Sequence, residues 1–140
     1  MAIKNYTTKI DPLVSIGEIQ AALAKHGARR MMIEYNFNGE PEGIAFTIEY
    51  QNAILGFQLP AHIEGVNHVF STQKVKADKE QAKRTAWRNI RDWVLAQIAF
   101  IEAGNATMDE IFLPFLCDEK GGTLYESFKK GALLLNEKEL

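Results

Sequence analysis

Three short runs decide the fold: Met31-Met32-Ile33-Glu34-Tyr35-Asn36-Phe37, Ile44-Ala45-Phe46-Thr47-Ile48-Glu49-Tyr50 and Leu55-Gly56-Phe57-Gln58-Leu59. In the first, Met31, Ile33, Tyr35 and Phe37 alternate with Met32, Glu34, Asn36 and Asn38. In the second, Ile44, Phe46, Ile48 and Tyr50 alternate with Ala45, Thr47 and Glu49. In the third, Leu55, Phe57 and Leu59 alternate with Gly56 and Gln58. A period of two places successive side chains on opposite faces, so each run reads as a strand with one buried face. The links Asn38–Gly43 and Gln51-Asn52 are turn-rich and short, which predicts an antiparallel meander.

Helical signals flank this meander. Ser15-Ile16-Gly17-Glu18 has capping-box spacing, with Val14 and Ile19 placed as a hydrophobic staple. Ile16, Ile19, Ala22 and Leu23 form one apolar stripe, and Lys25-His26-Gly27 supplies a helix end. Past Pro60, the residues Ile63, Val66, Val69 and Phe70 predict a short helix. The longest helix is predicted from about Lys79 to Ala103, with Ala86, Trp87, Ile90, Trp93, Val94, Gln97, Ile98, Phe100 and Ile101 on one side. Two further capping boxes, Thr107–Glu110 and Thr123–Glu126, open short helices, the first shortened by Pro114 and the second ending near Gly131. The expected architecture is a single α+β domain over residues 1–140. It is a three-stranded antiparallel β-meander with an N-terminal helix, one long helix and short C-terminal helices, in the order α-β-β-β-α-α-α-α. The first and long helices are expected to cover the apolar face of the sheet.

Composition agrees with a globular chain: 46% of the 140 residues are apolar and 24% charged. This argues against a disordered, collagenous or disulfide-rich class. No run has the roughly 18 uncharged apolar residues of a spanning helix. The first residues lack a signal-peptide core. A single cysteine, Cys117, has no internal disulfide partner. A reducing, intracellular setting is therefore the expectation.

Candidate chemistry is sparse. His62 and His68 are six residues apart with no cysteine beside them, and His26 sits at a helix end, so no metal site is expected. Cys117 lacks the glycine-framed turn of an exposed nucleophile and reads as a small buried hydrophobe. Gly121-Gly122-Thr123 precedes a helix, but it has no phosphate-loop lysine and Asp118-Glu119 lies just upstream. The pairs Glu40/Glu42 and Asp118/Glu119 fall in polar turns rather than in a cleft of the kind a carboxylate dyad needs. The expectation is a protein that is not an enzyme and needs no cofactor.

Charge is unevenly distributed. The net charge is −2, yet Lys74–Arg91 carries seven basic and two acidic residues, whereas Asp92–Leu140 carries four basic and nine acidic. Lys74, Lys76, Lys83, Arg84, Arg88 and Arg91, with Trp87 beside them, are the candidate binding residues. Lysine and arginine heads pair with phosphates, and an exposed tryptophan stacks on bases. The alternative is a solvated helix flank whose Arg84 and Arg88 pair with the acidic C-terminal part and whose tryptophan lies in the core.

Several stretches together resemble a family of small uncharacterised proteins encoded by phages and prophages of largely Gram-positive bacteria. They include Thr7-Thr8-Lys9-Ile10, Phe57-Gln58-Leu59-Pro60-Ala61, Thr85–Val94, Ile111-Phe112-Leu113-Pro114-Phe115 and Gly122-Thr123-Leu124-Tyr125. The resemblance implies a phage or mobile-element product in the cytoplasm of a bacterial host cell and brings no catalytic motif. The element order is also similar, at fold level only, to the double-stranded-RNA-binding domain, from which the inserted segment His62–Phe70 departs. The expected function is a non-catalytic phage-type accessory protein that binds DNA, RNA or a nucleoprotein in replication or recombination through the basic flank. The alternative is an inhibitor of a host defence protein acting by protein–protein binding. Strand edges and the polar sheet face of Glu34, Asn36, Thr47 and Glu49 are also suited to a homodimer.

Overall fold

The computed structural model describes residues 1–131; the last nine residues of the expected domain lie outside the described part. Its elements are α1 (Pro12–Lys25), β1 (Ala28–Tyr35), β2 (Pro41–Tyr50), β3 (Ala53–Pro60), α2 (Ile63–Thr72), α3 (Lys79–Glu102), α4 (Met108–Phe112), a 3-10 turn (Leu113–Phe115) and α5 (Leu124–Lys129). The predicted α+β order is therefore found, and the strands pair antiparallel in the order β1-β2-β3. Among the described residues, no helix is long and apolar enough to cross a membrane.

The core forms where the inward face of the sheet meets α1 and α3. Ile44, Phe46, Phe57 and Leu59 from the strands meet Ile16, Ile19 and Leu23 of α1 and Trp87, Val94 and Ile98 of α3. Phe112 of α4 closes the end of this layer, edge-on to Phe46 with ring centroids 5.2 Å apart.

Two local expectations are corrected. First, α1 does not start at Ser15. Asp11 caps it, its Oδ1 accepting from the Leu13 amide at 2.8 Å, and Pro12 takes the first helical position. Asp-Pro is the stronger start signal, because proline has no amide to leave orphaned and a preset φ. Ser15 is consequently buried inside the helix, Val14 is exposed rather than stapled, and Glu18 is freed for another partner. Second, β1 ends at Tyr35, and Phe37 does not lie on the inward face. The Asn36 side chain takes over the turn: its Oδ1 accepts from the amides of Asn38 (2.9 Å) and Glu40 (3.0 Å). An asparagine that mimics backbone in this way ends a ladder. Trp93 and Phe100, placed on the apolar side of the long helix by periodicity, are both partly exposed. The capping boxes at Thr107 and Thr123 both form.

Candidate functional site

The basic flank of α3 is a seam, and its partners are Glu18 of α1, Glu40 of the β1–β2 turn and neighbours on α3 itself; from the acidic C-terminal part only Asp92 takes part among the described residues. Arg88 Nη1 donates to Glu18 Oε2 at 2.8 Å, and Arg91 Nε donates to the same oxygen at 2.7 Å. Arg91 Nη1 also donates to Asp92 Oδ1 at 3.0 Å. Arg84 bonds Gln81 Oε1 through Nε and Nη2, at 3.1 and 2.7 Å. Lys83 is paired with Glu40 and Glu80, leaving its side chain 12% exposed. The same helix holds the N-terminal segment: Gln81 Nε2 donates to the Thr8 carbonyl (2.8 Å) and Thr85 Oγ1 to the Asn5 carbonyl (2.9 Å).

The expectation of an exposed cationic ridge with a stacking tryptophan is thereby corrected. Trp87 is fully buried, and its indole Nε1 donates to the Pro41 carbonyl at 3.2 Å. Of the seven candidate residues, Lys74 and Lys76 stay exposed with no side-chain partner among the described residues. The physical reason is proximity: α1 packs along α3, so Glu18 lies nearer the guanidinium groups than any solvent-borne anion.

This seam shifts its carboxylates. Burial pushes the Asp92 carboxyl up, but hydrogen bonds from Asn5, Arg91 and Lys4 outweigh it and hold the group at about 2 against an ordinary 3.8. The hydrogen bond from Arg91 likewise lowers Glu18 from 4.5, against a smaller desolvation and with the Arg88 charge assisting. A carboxylate depressed in the folded state stabilises above its unfolded value, and that stabilisation is lost as pH falls toward the folded one. The melting temperature is therefore expected to drop on acidification from about pH 4.5 to about pH 2. Asp92 contributes on the order of 2 kcal/mol at neutral pH. In the Asp92→Asn variant this acid-induced drop is shallower, as read by thermal unfolding across pH; an unchanged slope counts against the seam as its source.

The remaining candidates lie apart from this seam. His26 ends α1 with Nδ1 2.9 Å from the Ala22 carbonyl and Nε2 3.2 Å from Glu102. His62 and His68 are exposed, and no group of three or more metal-ligating side chains occurs among the described residues. Burial, then the charges of Glu34, Asp118 and Glu126, push the Cys117 thiol up, which disfavours a nucleophilic thiolate. The loop before α5 uses its own amides: Lys120 and Gly122 both donate to Asp118 Oδ1, at 2.8 and 2.9 Å.

What the sequence reading missed is a groove of about 1060 Å³ between the β1–β2 end of the sheet, α2 and α5. Five glutamates and three lysines line it, along with Phe115 and Tyr125. Lys79 and Lys83 are paired with Glu64 and Glu40, so the balance left is acidic. Asn36 and Glu40 of the β1–β2 turn are among its lining residues. Between them Phe37 is wholly exposed, with Tyr35 also exposed beside it. The turn that carries Phe37 is closed by further hydrogen bonds, since Asn36 also bonds Glu40 through its backbone (2.9 Å) and its Nδ2 (3.2 Å). The signal in the sequence was Asn38-Gly39, which placed the turn one residue too late to release Phe37 from the strand.

In comparisons with known proteins, no protein-family model matches the chain, and no curated protein or solved structure does so.

Proposed function

We propose that this chain is a non-catalytic accessory protein of phage type that works by binding another protein. The interface is the acidic groove together with the exposed Phe37 of the turn that supplies Asn36 and Glu40 to it. One observation carries this reading: a phenylalanine wholly exposed on a turn that a side-chain hydrogen-bond network holds together. Folding gains nothing from leaving a large apolar side chain in water. Binding does, because a pre-ordered aromatic loses little entropy when it enters a partner's pocket. The partner that fits offers an apolar pocket for Phe37 and cationic side chains for Glu34 and Glu42. A phosphate backbone meets the wrong sign of charge there. A host defence protein inhibited by occlusion suits the phage setting that the sequence resemblance implies.

Binding of nucleic acid is the competing reading, now resting on Lys74 and Lys76. Anisotropy with single- and double-stranded oligonucleotides, at low and moderate salt, separates the two. We expect no binding by the native chain at low salt. Tight binding with a steep salt slope would overturn the protein-partner reading. In the positive arm, Phe37→Ala is expected to leave stability within about 0.5 kcal/mol, as surface changes do. It is also expected to weaken capture of a partner from nuclease-treated host extract at least about tenfold, the loss of about 1.4 kcal/mol of anchor energy. A variant that captures the same partner undiminished would remove the tip from the interface.

A further inference from the structure

The two edges of the sheet are treated differently. The outer edge of β3 is blocked: the Cys117 amide donates to the Gly56 carbonyl at 2.8 Å, and Leu116 bridges to Phe57. The outer edge of β1 has no backbone partner among the described residues. Its regular part is Arg30-Met31-Met32-Ile33-Glu34, bounded at both ends by a register shift against β2. Pairing with β2 puts Arg30, Met32 and Glu34 on the face opposite the core: they stand across from Thr47, Ala45 and Gly43, whereas Met31 stands across from the buried Phe46.

This five-residue segment is complementary to itself. Laid antiparallel against a second copy with Met32 opposite Met32, it brings each Arg30 opposite the other copy's Glu34 and each Met31 opposite Ile33. Opposite charges directly across an antiparallel pair attract, and like charges repel. Shifting the centre to Met31 leaves Arg30 facing Met32 with no acid opposite. A parallel, in-register arrangement sets Arg30 beside Arg30. Arg30 makes no side-chain hydrogen bond or ion pair among the described residues, and Glu34 uses one oxygen, accepting from Gln58 at 3.0 Å. Met32, at the centre, is 61% exposed. Charged residues normally guard an edge strand against other chains. Here the charges are spaced so that one partner, another copy of the same strand, neutralises them.

We infer that the chain forms a two-fold homodimer through antiparallel β1–β1 pairing centred on Met32, joining two sheets into one of six strands. This surface shares Glu34 with the groove and leaves the Phe37 tip outside the paired segment, and its test reads mass rather than partner capture.

Sedimentation equilibrium over a concentration series up to about 1 mM tests it. The native chain is expected to approach twice its 15.8 kDa mass. Arg30→Glu alone and Glu34→Arg alone each bring like charges together and are expected to stay at monomer mass. The double variant, Arg30→Glu with Glu34→Arg, restores opposite pairs and is expected to regain the dimer, with unchanged circular dichroism confirming the fold. In a second measurement, Met32→Cys is expected to give a covalent dimer on mild oxidation. Residues directly opposite in such a pair lie about 4.5–5.5 Å apart, within disulfide reach. Thr47→Cys, one strand inward on the same face, is expected to give no more than the native chain. A monomeric native chain leaves the edge to some other strand and overturns the proposal. So do single variants that dimerise like the native chain, or equal cross-linking at the two cysteine positions.

Discussion

Replacing Trp87 by alanine is expected to lower folding stability by about 3–5 kcal/mol, out of the 5–15 kcal/mol that a domain this size carries. The side chain is wholly buried at the junction of α3 and the sheet. Its removal takes away dispersion contacts on every side and leaves a cavity that the rigid helix cannot close. It also strands the Pro41 carbonyl, which accepts the indole proton at 3.2 Å. Trp87→Phe separates these contributions, since most of the ring is kept and the carbonyl alone is orphaned, for a loss of about 1–3 kcal/mol. Urea unfolding of both variants checks this. An alanine variant as stable as the native chain would mean that the tryptophan is free to stack on a ligand after all.

Phe112→Ala is expected to have an effect of the same order, about 3–5 kcal/mol. Phe112 is also wholly buried, and its ring meets Phe46, Phe57 and Trp93 edge-on at 5.2, 6.3 and 5.7 Å between centroids. Such geometry aligns the positive edge of one ring with the negative face of the next, adding about 0.5–1.5 kcal/mol per pair beyond area burial. Five-residue α4 has too few backbone hydrogen bonds to persist alone, so Phe112 is its anchor. The loss is expected in calorimetry as a lower melting temperature. Hydrogen exchange should quicken first in residues 107–117; uniform exchange across the chain would show that α4 is not held by this ring.

Local rules found what is local. Alternation located the three strands because each is half-buried, and the Thr107 and Thr123 boxes formed because each needs four residues and nothing else. The errors share one cause. Ser15 and Glu18 have capping-box spacing, but the box competes with Asp11-Pro12 upstream and with Arg88 and Arg91 some seventy residues downstream. Neither competitor is visible in a four-residue window. Charge counting found a cationic flank that falls partly along α3 and partly, at Lys74 and Lys76, in the link before it, and it misjudged the use of that flank, since it sums charges along the chain and says nothing about which helix lies alongside. Phe37 was assigned inward because alternation has no term for where a ladder stops; the Asn36 side chain decides that. The groove was illegible for the same reason, being assembled from residues between Glu34 and Lys129.

The seam along α3 also sets a timetable for the nascent chain. The Ile3 amide waits for Gln73, the Thr8 and Asn5 carbonyls for Gln81 and Thr85, and Glu18 for Arg88 and Arg91. At about 5–20 residues per second, the segment up to α1 leaves the ribosome roughly several seconds before its docking surface on α3 exists. During that interval the apolar stripe of α1 has only the sheet to cover it, without α3. Slowing translation between residues 26 and 92 lengthens the time in which chaperones or aggregation compete for it.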